Sequence, residues 1–363
     1  MYKTTPLAKQ ECKQWAREHY KGMENLLLPS FTPNFAELDE AAIRHDVRQS
    51  IKHGFFSTAG VATVTTLAEY KRMLEIACDE ANGKMLVCAY VGEPTREANI
   101  ELLAHAGKIG CSHAVLVPRY LEPQSEDEIY RWYRDLIDTT TIPIVLYAQN
   151  NPRNRHLHAS GISVSTFERL AELPTVIAIK LTQAINMVRA MECAERLGEK
   201  LLIGPVHLDA MPLLSKACHI QWSGQWNAES AQSPERPYIV QYIDAISRGD
   251  LEEAYKLYWT LEPAYRAFFQ LQAPLLLKGG HPWAHLKYNQ WCVGGNGGLM
   301  RDIKKPVDHV PILTAGYRDQ IRNNYLKIGI EPVAASDEHF MVGMTNYARG
   351  FRKADLTSTP LYE

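Results

Sequence analysis

The feature that most constrains the fold is a repeated pairing of short apolar runs with amphipathic helical segments. Eight runs stand out: "LLLPSF" from Leu26, "FFSTAG" from Phe55, "MLVCAY" from Met85, "AVLVPRY" from Ala114, "PIVLYAQ" from Pro143, "VIAIK" from Val176, "LLIGP" from Leu201 and "HIQWSG" from His219. Runs rich in β-branched and small apolar residues suit strands buried on both faces. Between them, Thr66 with Glu69, Ser125 with Glu128 and Ser165 with Glu168 fit the capping box, in which a hydroxyl and a carboxylate satisfy the free N–H groups of a first helical turn. The second of these helices shows an apolar stripe at Ile129, Trp132, Tyr133 and Leu136.

Buried strands alternating with helices require parallel strands joined by crossovers, and eight of them favour closure into a (β/α)8 TIM barrel. An open doubly wound sheet would announce a glycine-rich turn after its first strand, which "LLLPSFTPNF" lacks. Strand signals stop near residue 236. The expected organisation is an N-terminal helical extension over 1–22, the barrel over 23–235, a C-terminal helical region over 236–330 and a tail over 331–363 without clear period.

The 39 basic and 41 acidic residues are mixed along the chain, which argues against nucleic acid or a charged membrane surface and for a small-molecule partner. Seven cysteines without a C-x-x-C pair read as buried thiols in a reducing compartment. With no apolar stretch of signal-peptide or membrane-span type, the expected location is cytoplasmic.

Lys180 closes the run "VIAIK". Strand carboxyl ends carry the active site of a parallel barrel, so this amine is either a solvent-seeking strand end or a nucleophile. Attack on a carbonyl needs the neutral amine, and a lysine at pKa ~10.4 is almost wholly charged at neutral pH. Burial in an apolar mouth lowers that value and frees the nucleophile. Tyr147 ends the preceding strand, where its hydroxyl can carry protons for imine formation.

Five stretches in register, "FTPNFAELDEAAIRHDVRQSIKHG", "VLVPRYLEPQSEDEIYRWY", "IPIVLYAQN", "VIAIKLTQ" and "HLKYNQWCVGGNGGLMR", resemble the dihydrodipicolinate synthase and N-acetylneuraminate lyase superfamily of pyruvate aldolases. The resemblance implies an imine between Lys180 and a 2-oxo acid, Tyr147 as proton shuttle, and a homo-oligomer, dimer or tetramer. It also implies a carboxylate-binding loop after the second strand, here Ser57, Thr58, Ala59 and Gly60, in which Ala59 replaces a hydroxyl residue and Val61 the usual glutamate. Thr58 is then a proton relay to Tyr147. Tyr120 matches a tyrosine that in synthase members reaches a neighbouring subunit, while Arg119 departs from the pattern and either binds a second carboxylate or pairs at the surface.

His207 and Trp222 fall near strands seven and eight, where an acid–base group and, with Trp226, an aromatic wall would suit a hydrophobic or aromatic substrate of hydratase-aldolase type. The histidine pairs at 156–158 and 281–285 lack a convincing metal-site pattern, so no metal and no cofactor is expected. The reading is a class I aldolase or lyase joining or parting pyruvate and an aldehyde. A 2-oxo acid dehydratase using the same lysine, or a non-catalytic oxo-acid-binding barrel, remains alternative.

Overall fold

The computed structural model describes residues 7–182, 185–278, 280–305 and 309–363. Gln183, at the end of "VIAIKLTQ", lies outside them.

Eight parallel strands form one sheet: β1 (Gly22–Leu27), β2 (Ser57–Gly60), β3 (Leu86–Val91), β4 (His113–Leu116), β5 (Ile144–Ala148), β6 (Val176–Leu181), β7 (Leu202–Pro205) and β8 (Trp222–Gly224). Their order is β7-β6-β5-β4-β3-β2-β1-β8. Because β8 pairs with β1 in parallel and Ser223 Oγ also donates to Pro205 O on β7 at 2.7 Å, the sheet closes into the expected TIM barrel. Every residue of β6 is buried, which accounts for its unbroken apolar run up to Lys180.

Helices follow the strands: α1 (Cys12–His19) precedes β1, and α2 (Glu40–Lys52), α3 (Leu67–Ala81), α4 (Arg96–Ile109), α5 (Glu126–Ile137), α6 (Val164–Ala171), α7 (Met187–Leu197) and the single turn α8 (Met211–Leu214) link the strands in turn. Thr66 and Glu69 make both halves of the capping box. Ser125 caps α5 through Glu128 N, but the Glu128 carboxylate accepts from Gln124 N. The third expected cap is corrected: α6 begins after Ser163, and Ser165, already inside the helix, donates to Glu126 Oε2 instead.

Contact density divides the chain into two compact units. The first comprises Met1–Glu24, Gly83–Gln225 and Tyr242–Tyr255 and holds β3 to β8 with the opening half of β1. Its registers place Cys88 opposite His113, Tyr147 opposite Lys180, and Lys180 opposite Gly204. One irregularity matters: Ile144 pairs with Val176 but Val145 with Ala178, so Ile177 is an extra residue in β6. Such a bulge re-aims every later side chain, and here it brings Lys180 level with Tyr147.

The second unit comprises Asn25–Asn82, Trp226–Gln241 and Lys256–Glu363. After α9 (Tyr238–Ser247) come α10 (Leu251–Gln272), α11 (Trp283–Cys292), α12 (Ala315–Leu326), and the short α13 (Asp337–Val342) and α14 (Met344–Ala348), where the sequence shows no period. Buried polar groups tie this unit together. Lys287 Nζ pairs with Asp46 Oδ2 at 2.9 Å and donates to Ser30 Oγ at 2.7 Å, and Glu229 Oε1 accepts from Asn25 Nδ2 at 2.6 Å and Gln290 Nε2 at 3.2 Å. All seven cysteines are free thiols, and among the described residues no helix is long and apolar enough to cross a membrane.

Candidate active site

Lys180 sits one residue before the carboxyl end of β6 and is only 5% exposed. Burial lowers its pKa, while the nearby Glu24 and Cys88 oppose that shift. Its Nζ lies 2.5 Å from the hydroxyl of Tyr90, the penultimate residue of β3. Tyr147 is the register neighbour of Lys180, and its ring meets that of Tyr90 edge-on with centroids 6.4 Å apart. Tyr90 attends the amine directly, and Tyr147 stands beside it in register. The Tyr147 hydroxyl donates to Thr182 Oγ1 at 3.3 Å. Burial raises the Tyr147 pKa, opposed by the Thr182 hydrogen bond and the positive charge of Arg119.

Deeper in the barrel stands a polar cluster. His113 Nε2 is 2.9 Å from Glu24 Oε2 and 3.1 Å from the Tyr20 hydroxyl, and His113 Nδ1 is 2.9 Å from Ser112 Oγ. Since a carboxylate can only accept, Nε2 carries the proton of the Glu24 pair. Cys88 completes the cluster, its thiol pushed well above the ordinary value first by burial and then by Glu24. Glu24, Cys88 and His113 offer ligand atoms within 4.8 Å of one another, the one such group among the described residues. Two ligands of a tetrahedral ion with bonds of ~2.0 Å stand roughly 3.3 Å apart, so the 2.9 Å closure between His113 and Glu24 is that of a hydrogen-bonded pair. The cluster escapes sequence reading because Glu24 and His113 precede the apolar runs that mark β1 and β4.

The other expected residues are placed as follows. Ser57, Thr58, Ala59 and Gly60 are strand residues of β2 and buried. Val61 N donates to Leu27 O at 3.1 Å, so that N–H is committed within the fold. The Thr58 hydroxyl is buried with no hydrogen-bond partner among the described residues. Arg119 O accepts from Arg153 Nη1 at 2.9 Å, and Tyr120 is 49% exposed. His207 is half-buried at the start of the turn after β7. Trp222 is fully buried inside the barrel, edge-on to Tyr20 at 4.8 Å, and it occupies the space that Gly204 leaves open. Trp226 is half-buried and packs against Phe268 and Phe269 within the second unit.

A closed parallel barrel with an amine and two phenols at its strand ends is an α/β barrel enzyme. Residues 22–292 match the Dihydrodipicolinate synthetase family. A 4-hydroxy-tetrahydrodipicolinate synthase of Pelobacter propionicus is 28% identical over 249 residues, 66% of this chain and 81% of that protein. The solved dihydrodipicolinate synthase of Aquifex aeolicus superposes with a TM-score of 0.68 at 21% identity, covering 87% of this chain and 100% of that one. An N-acetylneuraminate lyase of Fusobacterium nucleatum, solved with pyruvate, gives a TM-score of 0.65 at 17% identity, covering 85% and 97%. The chain belongs to the dihydrodipicolinate synthetase family, as a lyase.

Proposed function

We propose that the protein is a class I aldolase in which Lys180 attacks C2 of pyruvate or a related 2-oxo acid. Loss of water gives an iminium whose nitrogen accepts the electron pair released when the C3–C4 bond breaks, and the reverse flow joins an enamine to an aldehyde. The observation that carries this reading is the Lys180 amine itself, buried at a strand end, depressed in basicity by that burial and held against a phenol.

Tyr147 and Tyr90 move the protons of carbinolamine formation and dehydration. Arg119, whose charge reaches Tyr147, suits a second anionic group of the substrate.

Borohydride reduction in the presence of pyruvate tests the imine: Lys180 gains roughly 72 Da, the mass of pyruvate reduced onto an amine, and Lys180→Arg gains nothing. Turnover over a panel of aldehydes, assayed alongside, separates an enzyme from an oxo-acid-binding barrel. An unmodified Lys180 in a folded, pyruvate-saturated sample refutes the reading.

A further inference from the structure

Carbonyl chemistry at Lys180 turns its nitrogen into an iminium cation, and a buried cation needs an opposite charge nearby. Glu24 on β1 supplies one. The ideal Cβ position of Gly224, its register partner, lies 3.0 Å from Glu24 Oε1 and 3.1 Å from Lys180 Nζ. Two atoms so near one point stand at most about 6 Å apart, within the range where an opposite charge favours the charged form. Glu24 and Lys180 are 1% and 5% exposed, so little water screens them.

The other titratable groups around the amine are Tyr90, which holds Nζ at 2.5 Å, Cys88 beside it on β3, and Tyr147 on β5. Tyr20 and His113 stand behind Glu24. Burial pushes Cys88, Tyr20 and Tyr147 upward, so these stay protonated and uncharged. Neighbouring β7 offers no titratable side chain. The helices α1 and α6 also pack on β6 but turn their charges elsewhere: Lys13 to Ala171 O, Arg17 to Glu199 O, Glu168 to Arg196 and Arg169 to Asp127. A neutral His113 donates through Nε2 to Glu24 and accepts from Ser112 at Nδ1, which leaves the carboxylate its full charge. A second proton on His113, with the Ser112 hydroxyl turned to Val87 O, would cancel that charge, so Glu24 acts where His113 is neutral.

We infer that Glu24 is the buried counter-ion of the Lys180 nitrogen, a positioning residue that keeps the substrate-bearing iminium protonated while it draws electrons from C3. The inference rests on the Schiff-base reading of Lys180 and adds no step to it. An iminium that loses its N–H proton becomes a neutral imine, without the positive charge that receives the electron pair of a breaking bond. A nearby carboxylate makes that loss harder. The same charge holds a proton on the free amine, in accord with Glu24 being the first influence opposing the burial shift of Lys180. Both protonation equilibria of one nitrogen therefore move together.

The test follows the full chain with pyruvate in heavy water as a function of pH. Borohydride trapping at Lys180 reports the imine, and loss of the methyl proton signal of pyruvate reports exchange at C3, which needs the protonated iminium. Exchange rises with pH as the amine is freed and falls as the iminium loses its proton. Glu24→Gln keeps an acceptor for the His113 N–H. It should move both limbs to lower pH by about 1 to 2 units, the effect of one charge at roughly 6 Å and an effective dielectric of ~20. Glu24→Asp, its charge drawn back by one methylene, should move them the same way by a few tenths of a unit, and it decides the case if Glu24→Gln does not fold. A merely structural loss lowers the profile and leaves its limbs in place. Unmoved limbs in the deciding variant, or limbs displaced to higher pH, overturn the counter-ion while Lys180 still traps pyruvate. Failure of the unaltered protein to trap pyruvate at any pH brings down the Schiff-base reading, and this inference with it.

Discussion

Glu229 offers a quantitative test of the polar interior of the second unit. It is 5% exposed, and burial raises its carboxyl from the ordinary 4.5 to about 7, against the lowering effect of hydrogen bonds from Asn25 and Gln290. Between those two pH values the folded protein keeps a proton that the unfolded chain has released. Stability therefore falls as pH rises from about 4.5 to about 7 and is level above that. The rise corresponds to about 3 kcal/mol of penalty carried by the folded state at alkaline pH.

Glu229→Gln removes the ionisation and keeps Oε1 as the acceptor for both amide donors. At pH 5 the glutamate is already neutral, so variant and parent should unfold at nearly the same temperature. At pH 8 the variant should be more stable by about 3 kcal/mol. That is about 4 °C in melting temperature for a chain of this length, at an unfolding entropy of roughly 2.1 cal/mol/K per residue. Calorimetry at the two pH values reads the difference. His53, 1% exposed and held near 4 by burial, slopes stability the opposite way over pH 4 to 6.5, but it is present in both proteins and cancels. An equal shift at both pH values, or a loss at pH 8, refutes the reasoning.

Lys287→Met leaves the buried Asp46 carboxylate with the Asn296 N–H but no cation, and should cost roughly 3 to 5 kcal/mol in urea unfolding; a loss below about 1 kcal/mol counts against a working buried pair. Gly204→Ala sets a carbon 2.2 Å from Trp222 Cζ2, so it should destabilise by about 1 to 3 kcal/mol, with Trp222→Leu in the same chain recovering part. Borohydride trapping of pyruvate on Lys180 should speed up with pH as the amine loses its proton and level off below pH 10.5, because burial lowers the lysine. A rate still climbing at the ordinary lysine value refutes that depression.

The alternation of strand and helix was legible because each strand is buried on both faces and each crossover helix needs one apolar stripe. Ile129, Tyr133 and Leu136 of the expected stripe are buried against the rest, with Trp132 at its half-buried edge. Caps were legible only in part. Thr66 and Ser165 present the same local pattern, yet Ser165 lies within a helix that begins after Ser163, because its hydroxyl finds Glu126 across the gap between α5 and α6. The bulge at Ile177 leaves no local signature, since an extra isoleucine in an apolar strand looks like any other.

What was least legible is what the barrel interior uses. Period-two alternation vanishes in strands buried on both faces, so nothing in one strand tells an inward polar residue from a strand end. Glu24 and His113 stand before the apolar runs that mark their strands, and Tyr90, although inside such a run, has no partner visible from its own strand. The meaning of each comes from register: Cys88 opposite His113, Glu24 opposite Gly224, Tyr147 opposite Lys180. An isolated buried carboxylate would cost several kcal/mol. Glu24 is tolerable because His113 donates to it, and its nearby charge holds up the basicity that burial takes from Lys180. The polar groups of this barrel thus stabilise one another's burial.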